Sequence, residues 1–156
     1  MSSTSSIVTR NIQGVERIIN YQFTNPKIIC EALLAAGRYL PGIVRCSKDG
    51  NKNLAMVGDA VLQLVLVSDG YDKGAINGIV SAKGRNAYLA EQGSHNNLEP
   101  FIFKNPSQRD DDVSKGPMAD TVEAILGAVW YDSGKDLSAV QAVMETLGLF
   151  DLETVI

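Results

Sequence analysis

Three carboxylates stand out by their setting. Asp59 sits within residues 54–67, a run that is apolar on almost every face and is interrupted only by Gly58, Asp59 and Gln63. All-round apolarity of this kind marks a helix buried inside a domain. An ionised carboxylate there costs roughly 3 kcal/mol or more unless it is paired, hydrogen-bonded or bound to a metal, so Asp59 requires a partner. Residues 118–132, MADTVEAILGAVWYD, repeat the design, with small residues, an apolar body and acids near the start. Asp120 and Glu123 are three apart and share one helix face. Gly58 in one stretch, and Ala119, Ala124 and Gly127 in the other, remove side-chain bulk and let two backbones approach closely. If the helices cross there, Asp59, Asp120 and Glu123 converge. Carboxylates crowded together repel unless cations or protons lie between them, and oxygen-only, partly hydrated ligands suit Mg²⁺ or Mn²⁺.

Other chemistries find little support. The single histidine, His95, lies in a Gly-Ser-His-Asn-Asn stretch that reads as a solvated loop, so no Ser-His-Asp arrangement serves the acids. A di-iron helical bundle needs Glu-x-x-His pairs, which this chain lacks. The two cysteines, Cys30 and Cys46, have no metal-like spacing. Cys30 falls in an apolar helical pattern and Cys46 in a loop, and a disulfide between them is left open. Asp110, Asp111 and Asp112 form an acidic run without a second acidic box, and read as solvated loop acids.

The elements that must position the acids follow from periodicity and punctuation. Residues 11–20 carry Ile12, Val15, Ile18 and Ile19 at helical spacing. Asn25 and Pro26 make an N-cap and first helical position for a helix over 27–36, with Gly37 placed to end it. A loop over 38–50 precedes the central helix, which closes near Asp69 and Gly70. Two helical patches follow, 75–82 and 85–92, with Gly84 as a break and Gly93 as a stop. Residues 97–104 form a short apolar segment and 105–117 a polar loop. The second acidic helix spans 118–132, and a last one spans 136–147 with Asp136 as N-cap and Gly148 as stop. No stretch alternates with period two and no repeat is visible, so the chain reads as all-α. A flexible leader (1–10), one domain (11–148) and a tail (149–156) are expected.

Bulk properties narrow the class. At 156 residues, 45% of them hydrophobic, the chain suffices for one domain with a real core and not for two. The first residues lack the apolar region of a secretory signal, and the central helix is too interrupted to span a bilayer, so an intracellular protein with no membrane partner is expected. A net charge of −4 argues against holding nucleic acid by bulk attraction. Divalent cations at the acidic cluster, or basic residues gathered on one face, would each offset it.

At these same residues the chain resembles a known family. Asn51-x-x-Leu54-x-x-x-Gly58-Asp59-Ala60-Val61-Leu62 is similar to the signature of the ribonuclease III nuclease domain. Met118-Ala119-Asp120-x-x-Glu123-Ala124-x-x-Gly127-Ala128, followed by Tyr131-Asp132-x-Gly134, resembles its second acidic motif. Tyr21-x-Phe23-x-Asn25-Pro26 with Glu31-Ala32-Leu33 resembles its opening, and Val80-Ser81 with Asn86-x-x-Leu89-Ala90 its middle.

The resemblance, which spans roughly residues 15–148, implies a ribonuclease III-like helical domain that forms a homodimer, with Met56 and Val57 as contacts. It further implies an endoribonuclease that cuts double-stranded RNA with metal-activated water. Asp59, Asp120 and Glu123 would hold Mg²⁺ (Mn²⁺ as substitute), Lys115 would lie near the scissile phosphate, and Asn86 and Lys83 would approach the RNA backbone. No segment is long enough for the double-stranded-RNA-binding domain often appended in this family.

Two positions depart from the family pattern. Ala55 stands where a glutamate usually shares the face of Asp59, and Lys52 where an acid usually follows the leading Asn. They sustain a second reading: a ribonuclease III-like domain with impaired catalysis that binds RNA or serves as a scaffold, as on some mitochondrial ribosomes. An acid from 110–112 swinging inward would replace the carboxylate missing at Ala55.

Overall fold

The two acid-bearing stretches are helices that meet backbone to backbone. In the computed structural model, residues 3–36, 49–74, 82–104 and 115–149 are described, with the side chains of 3–5, 82–84 and 115 outside that description. The helices are α1 (Ser3–Ile19), α2 (Pro26–Ala32), α3 (Lys52–Asp72), α4 (Ala82–His95), α5 (Lys115–Asp132) and α6 (Leu137–Leu147). α5 is the centre, with α2, α3, α4 and α6 all packed on it and α3 most extensively. Along the α3–α5 seam, a Cβ on Gly58 would overlap the Glu123 carbonyl, and one on Gly127 would lie 2.5 Å from the Leu54 carbonyl oxygen. Only glycine admits that approach.

The caps formed where the sequence placed them. Asn25 accepts from the Lys27 N–H (3.0 Å) with Pro26 at the first position of α2, and Asp136 accepts from the Ser138 N–H (2.9 Å) at the start of α6. Gly148 ends α6 in the left-handed region, φ 79°. Among the described residues the regular structure is helical, with a short 3-10 turn (Glu99–Phe101) and one isolated parallel bridge, Leu34 to Phe103.

That bridge corrects the predicted length of α2. The helix stops at Ala32 rather than 36, because the Leu33 carbonyl accepts from Phe103 N–H (2.8 Å) and Ala35 N–H donates to the Phe103 carbonyl (3.0 Å). These groups leave the helical ladder to pin the 99–104 segment. α1 begins at Ser3, so most of the expected leader is helical, and Val8 packs on the core. α3 runs on to Asp72, where Lys73 pairs with Asp69 at 3.0 Å. α5 starts three residues early, at Lys115.

α4 passes straight through both glycines predicted to interrupt it. Gly93 is used for proximity: a Cβ there would stand 2.7 Å from Met118 Sδ on α5. The helix ends two residues later, so His95 occupies its last turn, exposed, and is not in a loop. All but the last residue of the predicted patch at 75–82, residues 37–48 with Gly37 and Cys46, the acids Asp110, Asp111 and Asp112, and the tail from 150 lie outside the described residues. Cys30 is a buried, free thiol, pushed up to about 11 by burial.

One expectation about α3 fails outright. The helix is not enclosed on all sides: Met56, Ala60, Leu64, Val67 and Tyr71 lie exposed at spacings of four, four, three and four, a single stripe, with Met56 72% and Tyr71 75% exposed. By length and composition alone α3 would pass for a membrane span; its other face is the packing surface against α5.

Candidate functional site

Asn51 fixes the entrance to the seam. Its buried amide donates to the Ala32 carbonyl (2.8 Å) and to Thr121 Oγ1 (3.1 Å), and Thr121 Oγ1 donates to the Pro117 carbonyl (2.9 Å). One side chain thereby aligns the end of α2 with the starts of α3 and α5. Nearly two turns into α3, Gly58 brings the backbone onto Glu123, and Asp59 follows it at the edge of the contact.

A cleft of about 390 Å³ opens at that edge. Asp59, Asp120 and Glu123 line it, together with Lys52, Ala55, Met56, Arg85 and Asn86. Glu123 is the buried acid, 7% exposed, whereas the Asp59 side chain is 40% exposed. The sequence reading expected Asp59 itself to be buried. The close approach at Gly58 seats Glu123 in the seam and turns the next residue, Asp59, toward the opening. Burial pushes the Glu123 carboxyl up to about 8, helped by a hydrogen bond shared with Asp59 and by repulsion from Asp59 and Asp120, while Arg85 draws it down. Asp120 is also raised by burial, with Lys52 pulling the other way.

The partner that Asp59 requires is Arg85, whose Nη2 lies 3.4 Å from Asp59 Oδ1. Sequence reasoning gave Arg85 no role in the site. A usable signal existed: Arg85 is four residues from Leu89 and eight from Gly93, which puts it on the inward face of α4. Asn86 is exposed and lines the cleft. Lys83 and Lys115 belong to the first turns of α4 and α5, but their side chains lie outside the described residues. Val57, expected at an interface beside Met56, instead packs against the core, because successive helical residues point about 100° apart.

The acids do not form the three-carboxylate cluster the spacing suggested. Among the described residues no three His, Cys, Asp or Glu side chains converge to hold one ion. Asp59 and Glu123 meet within hydrogen-bond reach, Asp120 lies alongside under the pull of Lys52, and Ala55 offers no oxygen. Hydrated Mg²⁺ is commonly held through only one or two carboxylates, so the Asp59–Glu123 pair fits a single such ion.

Comparison with known proteins agrees with this architecture. A family model described as the ribonuclease III domain matches residues 52–134, more than half of the chain. The chain is 30% identical to a Ribonuclease 3 from Vibrio atlanticus over 141 residues, covering 81% of this chain and 56% of the relative. It is 28% identical to a Ribonuclease 3 from Aliivibrio fischeri, covering 86% and 59%. The chain thus spans less than two thirds of these relatives' length. The nuclease domain of ribonuclease III from Campylobacter jejuni superposes with a TM-score of 0.68 at 22% identity, over 88% of this chain and 93% of that one. A second structure of that domain, described for structural flexibility in a region involved in dimer formation, gives 0.67 at 20% identity, over 87% and 95%.

Proposed function

This chain belongs to the ribonuclease III family, and we propose that it is a divalent-metal-dependent endoribonuclease that cuts double-stranded RNA as a homodimer. The observation that carries the reading is the Asp59–Glu123 pair at a cleft between two helices matched by the family model. Asp59 and Glu123 would hold Mg²⁺ or Mn²⁺, with Asp120 beside them. A bound ion of this kind supplies Lewis acidity for hydrolysis of a phosphodiester by water. No side-chain nucleophile is needed, in keeping with the distant, exposed His95 and the buried thiol of Cys30.

The chain's own groups set up the rest. Glu123 keeps its proton at neutral pH despite Arg85, since burial and two neighbouring carboxylates oppose its charge. Asn86, exposed at the cleft, is positioned to hydrogen-bond a phosphate or a 2′-hydroxyl, the groups by which A-form duplexes are recognised. Lys83 and Lys115, in the first turns of α4 and α5, are proposed as backbone and scissile-phosphate contacts. The exposed stripe of Met56, Leu64, Val67 and Tyr71 supports a self-complementary interface between two copies. An RNA substrate also implies an intracellular site of action.

A second reading, an RNA-binding scaffold with impaired catalysis, is favoured by Ala55 in the cleft and by the lack of a third converging acid among the described residues. Incubating a long RNA duplex with the protein and Mg²⁺ or Mn²⁺ separates the two. For a nuclease, cutting is metal-dependent and falls by on the order of 100-fold or more in Asp59→Asn and Glu123→Gln. Duplex binding without cutting in either metal establishes the scaffold.

A further inference from the structure

Arg85 is an unusual tenant of an acidic cleft. Its side chain is 8% exposed, yet its one ion-pair contact among the described residues, to Asp59, is long at 3.4 Å. Its Nε is buried and has no hydrogen-bond partner among the described residues. A guanidinium carries five N–H donors, and buried donors are nearly always satisfied. Arg85 is therefore held less by hydrogen-bond geometry than by the negative charge around it. It also acts on Glu123, whose carboxyl it draws down, so a single fixed charge faces both members of the acid pair.

The neighbourhood explains why such a charge is accommodated. Lys52 brings a second cation to the cleft, and Ala55 adds no charge to it. Three carboxylates in the cleft thus face two built-in positive charges, Lys52 and Arg85. We propose that Arg85 is a resident counter-ion of the cleft, which a divalent cation must displace from Asp59 in order to bind. The proposal rests on the reading of Asp59 and Glu123 as ion ligands. It adds that this site binds its ion weakly because the protein already supplies a competitor.

The test is Mn²⁺ binding to the full chain, followed by electron paramagnetic resonance, for the unmodified protein, Arg85→Gln, Arg85→Lys and Glu123→Gln, with circular dichroism melting to verify folding. Arg85→Gln is expected to tighten Mn²⁺ binding by roughly tenfold or more, the scale on which a close opposite charge shifts a carboxylate equilibrium. Arg85→Lys, which keeps the charge, stays near the unmodified affinity, and Glu123→Gln abolishes binding. Equal Mn²⁺ affinity in the unmodified protein and Arg85→Gln, with loss in Glu123→Gln, overturns the counter-ion role and leaves the ion site standing. Absence of Mn²⁺ binding in both the unmodified protein and Arg85→Gln overturns the ion site and this proposal together. Weaker binding in a folded Arg85→Gln overturns the proposal as well, by making Arg85 a supporting residue.

Discussion

On one side of the central seam, α5 is enclosed from Met118 to Val129 save for Asp120; on the other, α3 gives one face to the seam and leaves Met56, Leu64, Val67 and Tyr71 in solvent. The difference comes from position. α5 has neighbours on several sides, whereas α3 has the core behind it and open water in front. The acids inherit this asymmetry. Glu123, on the enclosed helix, pays a desolvation penalty that raises its carboxyl, and Asp59, on the half-open helix, stays accessible to a cationic partner. An apolar sequence therefore serves two ends here: filling a core, and presenting a face that another surface can cover.

The contrast can be broken most severely at the seam. Gly58→Val places a side chain on the Glu123 backbone carbonyl, which cannot yield as a flexible side chain would. A loss above about 4 kcal/mol is expected, enough to prevent folding of a marginal domain, whereas Gly116→Ala, with open space around it, stays within about 0.5 kcal/mol. Urea denaturation measures both, and a Gly58→Val protein as stable as its parent would refute the close crossing.

The open face is tested by Leu64→Glu. The charge leaves the core untouched but should weaken self-association by on the order of 100-fold, about 2.7 kcal/mol. Sedimentation velocity reads this directly. A sedimentation coefficient and concentration dependence identical to the parent's would remove the stripe from any interface between copies.

A change of pH sharpens the electrostatic half of the comparison. Glu123 titrates at about 8 in the folded chain against an ordinary value of 4.5, so the folded state holds the extra proton between those pH values. Its contribution is complete below pH 4.5 and is lost as pH rises through 8. The melting temperature should fall over that window by on the order of 10 °C, at about 1.4 kcal/mol per pH unit between the two values and about 2–4 °C per kcal/mol for a domain of this size, and Glu123→Gln should flatten the fall. Asp120 and Glu31, also raised by burial, add a residual slope of the same sign.

Much of this organisation was legible because it rests on local rules. Asn25, Pro26, Asp136 and Gly148 act through their own turns, and Gly58 with Gly127 advertised a close crossing by having no side chains to obstruct it. The misreadings involve partners far away in sequence. Leu33 and Ala35 look helical until Phe103 takes the Leu33 carbonyl and the Ala35 N–H. Arg85 was passed over, since nothing within its own turn reveals that Asp59 lies across the cleft. Gly93 resembles a stop, because composition does not distinguish a glycine needed for its torsion from one needed for the room it leaves to Met118.

Asn51 occupies the N-cap of α3 but makes no capping hydrogen bond there; its amide reaches instead to Ala32 and Thr121. A capping side chain ordinarily reinforces a helix start by about 1 kcal/mol. That reinforcement is forgone at the very turn carrying Lys52 and Ala55, in exchange for a common alignment of three separate parts of the chain. Positional accuracy at the mouth of the cleft thus takes precedence over the durability of one helix end, and the spacing of the acids is governed by a residue that is not one of them.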